Sequence, residues 1–193
     1  MIKKITREFE QFLNFFVTYF PGRLGNILRR LVFKIYLNGL GKELNVEIGF
    51  KLNCPNNITI GNNASFMRNC SLNSCEGKIS IGNNIRVNQN VDINASNGGL
   101  IQIGNDVLIG NNVVIRAANH IYNNKGKKIN QSGHKGGQII IGNNIWIGAN
   151  CVILANVTLK DGSVIGAGTV VKKNVDSNEL AISNKQVNNK IYK

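Results

Sequence analysis

QIIIGNNIWIGANCVILANVTLKDGSVIGAGTVV, residues 138–171, sets a branched apolar residue at every sixth position: Ile141, Ile147, Ile153, Leu159, Ile165 and Val171. A helix repeats near 3.6 residues and a plain strand near 2, so neither alone explains the spacing. The period is even, however, and residues two or four apart on a strand face the same side. A second slot four residues on prefers small or branched side chains, among them Val107, Val113, Cys151, Val157, Ser163 and Thr169. The residues between the slots, GN, NN, KD and DG, are turn formers that tolerate positive φ. Asparagine is the best non-glycine residue for that backbone, which accounts for its presence at roughly one position in six. Short strands alternating with turns describe a coil that buries its apolar residues only when stacked on others.

The register recurs upstream as Ile48, Cys54, Ile60, Phe66 and Leu72, then Ile81, Val87 and Ile93, then Ile103, Ile109, Ile115 and Ile121. That makes about eighteen hexads, interrupted between 72 and 81, 93 and 103, and 121 and 141. These residues resemble the hexapeptide-repeat acyltransferases, close to the galactoside, maltose and surface-polysaccharide sugar O-acetyltransferases. The resemblance implies a mainly β fold, a left-handed parallel β-helix of triangular section with three hexads to a coil. Roughly six coils at about 4.8 Å each would make a prism about 29 Å tall. The chain divides into an amphipathic helical segment over 1–45, the β-helix over 46–175 with a protruding loop at 120–138, and a tail over 176–193.

The formal charge of +13 calls for an anionic partner: nucleic acid, a membrane surface, an acidic polymer or a phosphorylated cofactor. The four cysteines form no CxxC pair and argue neither for a disulfide framework nor for zinc; small core residues is the better reading. The N-terminus lacks a signal-peptide cleavage pattern and a membrane-spanning run, so the chain reads as cytoplasmic. Residues 2–20 and 24–35 carry apolar residues at helical spacing beside Lys3, Lys4, Arg7, Arg29, Arg30 and Lys34, joined by Pro21-Gly22. They either cap the open end of the prism or rest on an anionic membrane through residues 1–37. The "PG.LG..LR" pattern before the repeat resembles the same sugar O-acetyltransferases and fits both.

The interruption YNNKGKKINQSGHKGGQ (122–138) is glycine-rich and basic, and both histidines, His120 and His134, border or occupy it. From spacing alone His120 is equally a surface residue at the mouth of a loop. AANHIYNNKGKKINQSG followed by IIIGNNIWIGANCVIL resembles the family block in which a histidine opens the loop and serves as general base. The match makes His120 that base and His134 the weaker candidate, in a loop pliable for its glycines. An imidazole suits the task, because it takes the proton of a sugar hydroxyl as that oxygen attacks a thioester. VNQNVDINA matches the stretch where galactoside-type enzymes carry an acceptor-binding asparagine, here Asn90, though a turn asparagine is as good a reading. Trp146, Ala149, Ala167, Lys172 and Lys173 match positions lining the coenzyme A cleft, the lysines meeting phosphate; packing against the loop is an alternative for Trp146. Lys172 and Asn174 replace the threonine and aspartate of "VVTKD", and the tail from Ser183 lacks the usual "G.PA" turn.

These residues point to an acetyl-CoA-dependent O-acetyltransferase of a saccharide hydroxyl, in capsule or lipopolysaccharide modification, without a metal and assembled as a homotrimer. N-acetylation of a nucleotide-linked amino sugar uses the same fold and cofactor. A γ-class carbonic anhydrase needs three zinc-binding histidines, and this chain has two. A non-catalytic polyanion-binding β-helix needs an aromatic basic surface, whereas the aromatic residues concentrate in the N-terminal segment, so no nucleic-acid partner is expected.

Overall fold

The computed structural model describes residues 12–123, 126–182 and 185–190. Its body is a parallel β-solenoid of about six turns, each turn giving one short strand to each of three sheets. The first face holds Gly39–Leu40, Ile58–Ile60, Lys78–Ile81, Leu100–Ile103, Gln138–Ile141 and Val157–Leu159. The second holds Asn45–Val46, Ser65–Phe66, Arg86–Val87, Leu108–Ile109, Trp146–Ile147 and Val164–Ile165, and the hairpin Glu179–Ile182 with Lys185–Lys190 extends it. The third holds Lys51–Asn53, Ser71–Asn73, Asp92–Asn94, Val114–Arg116, Val152–Ile153 and Val170–Val171.

Pairing stacks the sixth-position residues coil on coil. Ile60, Ile81, Ile103, Ile141 and Leu159 align on the first face, Phe66, Val87, Ile109, Ile147 and Ile165 on the second, and Leu72, Ile93, Ile115, Ile153 and Val171 on the third. None is more than 4% exposed, and each such burial contributes about 1.5–3 kcal/mol.

The first coil departs from the register read off the sequence. Leu40, Val46 and Leu52 pair with Ile60, Phe66 and Leu72 and take its inward positions, Val46 buried and Leu40 and Leu52 half-buried against the core. Ile48 is half-buried and Cys54 is exposed in a left-handed turn (φ 53°). The cause is the 3₁₀ turn Pro55–Asn57, which lengthens the corner and slips the phase between Leu52 and Ile60. Ile121, counted as a hexad residue, lies where the chain has already left the coil.

The cysteine reading is corrected in part. Cys70 and Cys151 are buried in the second slot, where their thiols donate to the carbonyls of Asn88 (2.9 Å) and Gly166 (3.1 Å). Burial pushes both thiols up from their ordinary range, which leaves them unreactive. Cys54 and Cys75 instead form a disulfide with Cα atoms 5.0 Å apart. They are 21 residues apart in sequence, one coil, and both lie at the corner between the third and first faces. A CxxC search cannot see such a pair, because stacking rather than chain proximity brings it together.

Asparagine does more than tolerate positive φ. Asn63, Asn69, Asn84, Asn90, Asn112, Asn144 and Asn150 do adopt it. At the corner between the first and second faces, though, the side-chain oxygens of Asn62, Asn83, Asn105, Asn143 and Asp161 each accept the backbone N–H of the residue one coil below, at 2.7–2.9 Å. The amide thus closes a backbone donor that a turn would leave open.

Two helices close the open end, 12–19 and Gly22–Tyr36. Gly25, Arg29 and Phe33 form the inward stripe of the second. Phe33 stacks on Phe50 and Phe50 on Phe66, with centroids 5.5 and 5.1 Å apart, continuing the prism core into the helix. Arg29 is buried and donates to the carbonyls of Val46 (2.9 Å), Val17 (3.1 Å) and Phe20 (2.9 Å). A cation there satisfies the orphan carbonyls at the end of the first helix. Burial lowers the Arg29 pKa from its ordinary value, and Glu47 works in the opposite direction. A Cβ at Gly25 would stand 1.9 Å from the Phe20 carbonyl oxygen. The "PG.LG..LR" pattern is therefore a lock of the helices onto the prism: their inward face caps it, and the membrane reading is left to their outward face.

Candidate active site

The three interruptions of the repeat fall at one edge. Residues 74–77, 95–99 and 117–137 all connect the third face to the first, in consecutive coils. From this third corner the long loop leaves on an antiparallel ladder, Ala118–His120 against His134–Gly136. His120 and His134 are opposite each other, exposed, with ring centroids 3.9 Å apart. His134 thus lies at the base of the loop as His120 does, on an ordered strand.

The ladder's foot is held tightly: the N–H of Gly137 donates to the Ala117 carbonyl at 2.7 Å, and a Cβ at Gly136 would stand 2.4 Å from the carbonyl carbon of Gly98. Beside it opens a shallow polar groove of about 530 Å³, lined by Gly98, Leu100, Gly137, Gln138, Asn156, Thr158 and Asn174. Sequence reasoning missed this groove. Its signal was available: two glycine-rich interruptions in consecutive coils widen the same corner. Lys172 and Lys173 follow Val171 at this corner two coils further on, both exposed.

The remaining site residues stand elsewhere. Asn90 turns the second corner, between the second and third faces, with φ 59°. Its Nδ2 donates to Asn112 Oδ1 (3.1 Å), its Oδ1 accepts from Asn69 (3.4 Å) and its N–H donates to the Arg68 carbonyl (3.0 Å). Ala149 and Ala167 stack at the same corner, where a Cβ at Gly110 or Gly148 would stand 2.6 Å from the backbone nitrogens of Ala149 and Ala167 respectively. Trp146 projects from the second face between Leu108 and Val164 and is 56% exposed. Within one chain, then, His120, Lys172 and Lys173 occupy one edge of the third face, while Asn90, Ala149 and Ala167 occupy the other. Among the described residues no group of three or more His, Cys, Asp or Glu is placed to hold a metal ion.

A family model described as bacterial transferase hexapeptide (six repeats) matches residues 138–173. No curated protein sequence gives a match. Among solved structures, a mutant of AntD, an N-acyltransferase from Bacillus cereus in complex with dTDP-4-amino-4,6-dideoxyglucose and coenzyme A, is 22% identical. That match covers 84% of this chain and 87% of that one, with TM-score 0.71. A galactoside acetyltransferase in complex with coenzyme A is 25% identical, over 90% of this chain and 74% of that one, with TM-score 0.62. A maltose O-acetyltransferase from Clostridium difficile 630 is 26% identical, over 94% and 84%, with TM-score 0.61. The resemblance to hexapeptide-repeat acyltransferases holds in the repeat and in the fold alike.

Proposed function

We propose that this hexapeptide-repeat chain is an acetyl-CoA-dependent O-acetyltransferase of a saccharide hydroxyl, with His120 as its general base. The observation that carries the reading is the position of His120, exposed on the ladder whose foot borders an open polar groove. The galactoside and maltose acetyltransferases of the same fold support the acceptor class, and the coenzyme A of two solved relatives supports the donor.

The chemistry follows from these groups. An imidazole nitrogen of His120 takes the proton of the acceptor hydroxyl as its oxygen attacks the thioester carbonyl. The carbon–sulfur bond then breaks, and the protonated imidazole returns its proton to the departing thiolate. The groove's backbone and amide groups hold the acceptor. Trp146 and the small column of Ala149 and Ala167 suit an extended pantetheine arm, and Lys172 and Lys173 suit phosphate. Because these groups occupy two edges of one chain, the site forms between adjacent copies of a homotrimer. The basic surface fits an acidic or membrane-linked glycan, as in capsule or lipopolysaccharide modification.

A second reading is N-acylation of a nucleotide-linked amino sugar, supported by the fold match to AntD. Mass spectrometry of hydroxyl and amine acceptors, competing for acetyl-CoA, tests both. Acetate ester on a saccharide is the expected product. Amide product alone establishes the second reading, and no product from either class removes the assignment.

A further inference from the structure

The inward stripe of helix Gly22–Tyr36 leaves an outward stripe without a partner among the described residues. Leu24, Ile27, Leu31 and Ile35 project from it at helical spacing and are 69%, 48%, 59% and 78% exposed. Helix 12–19 adds Phe12, Phe15, Phe16 and Tyr19, each more than 40% exposed. Single exposed apolar residues are ordinary, but four in one helical stripe mark an interaction surface. Arg23, Arg30 and Lys34 flank the stripe, exposed, and no Asp or Glu occurs anywhere in residues 12–36.

We infer that this end of the prism docks on an anionic lipid bilayer, with the stripe in the headgroup–acyl boundary and the basic side chains on lipid phosphate. The alternative occupant is a second copy of the chain. An isologous contact would bring Arg23, Arg30 and Lys34 of two copies into one interface with no acid among residues 12–36 of either copy to meet them. A bilayer with negative headgroups takes both halves of the surface at once. The stripe cannot fold back on its own core, because buried Arg29 and Phe33 already fix the opposite side of the helix there. No helix among the described residues is long and apolar enough to cross a membrane, so the contact is peripheral. The docking end is the first coil, whereas His120 and the groove belong to later coils. Binding can therefore be measured independently of any catalytic reading.

The test is flotation of the full chain with vesicles of phosphatidylcholine, with and without about one third phosphatidylglycerol. The native chain should float with the anionic vesicles and stay with buffer in the neutral ones. Arg30→Gln/Lys34→Gln should weaken partitioning about fivefold per charge removed and flatten its salt dependence. Leu31→Ser/Ile35→Ser should weaken it at least about tenfold. Both pairs are exposed, so melting temperature and near-ultraviolet circular dichroism should stay native. Equal binding to both vesicle types, or none to either, overturns the inference. So does a fall in oligomeric mass in Leu31→Ser/Ile35→Ser with flotation unchanged, which would assign the stripe to a second copy.

Discussion

His120 and His134 differ less in position than their places in the sequence suggest, since both end the same two-stranded ladder and their rings touch. Their roles separate by kinetics. His120→Ala should lower kcat by about 10²–10⁴-fold and leave coenzyme A affinity intact, as expected when only the proton acceptor is lost. His134→Ala should cost less, because it removes a ring that orients the base and not the base itself. Steady-state kinetics beside calorimetric titration of coenzyme A check this, and a His134→Ala protein deader than His120→Ala would exchange the two assignments. Ser163 offers a stability test at the same scale. It fills the second inward slot that Ala64, Ile85, Val107 and Ile145 occupy in other coils, and its hydroxyl has no hydrogen-bond partner among the described residues. A buried unpaired hydroxyl costs about 1–3 kcal/mol. Ser163→Ala should therefore raise the melting temperature, and a marked fall would show that the hydroxyl is satisfied after all.

Among the elements, the faces were legible in the sequence and the corners were not. A face needs one apolar residue in six, so periodicity alone names its core from Ile60 to Val171. A corner can absorb extra residues without disturbing the faces it joins. Pro55–Asn57 does so, and for that reason the first coil was read two residues out of phase. His120 was legible as a candidate base only through the family block it resembles, since its spacing alone fits a surface residue at the mouth of a loop equally well. The groove left only the faint signal of two glycine-rich interruptions, since its lining comes from four successive levels of the first face and each residue reads alone as an ordinary turn or outward strand position. The Cys54–Cys75 bond is a corner device too, tying the first coil, which carries the helical cap, to the second. In the chain-entropy account a closed loop of about twenty residues contributes roughly 3 kcal/mol. Cys75→Ser should lower the melting temperature in oxidising buffer and change nothing under reductant, where the native pair is also open. Identical melting of the two proteins in oxidising buffer, with free thiols in the native chain by alkylation mass spectrometry, would remove the bond from the stability account.

At the scale of the molecule, the decisive arrangement is the separation of the proposed site into two edges of one face. Stacking fixes it: Asn90, Ala149 and Ala167 turn the second corner, His120 and the lysines turn the third, and rigid coils cannot bend to bring them together. The proposed cyclic trimer would resolve this if each interface set the third corner of one copy against the second corner of the next. Light scattering at micromolar concentration should therefore report three chains, and a monomer would leave the groups of the site apart. Subunit mixing tests the geometry more severely. His120→Ala removes the base from one edge, and Asn90→Gly removes the amide from the other while keeping a residue at ease with φ 59°. Alone, each variant should be impaired at every interface. In trimers assembled at random from equal amounts of both, an interface is intact when an Asn90→Gly copy presents its His120 to a His120→Ala copy presenting its Asn90. The chance of that is about one in four. Co-expressed variants should then recover about a quarter of native turnover, far above either variant alone. If the mixture shows only the mean of the two impaired proteins, the reacting groups lie within one chain, and Asn90 returns to being one more rung in the corner ladder between Asn69 and Asn112.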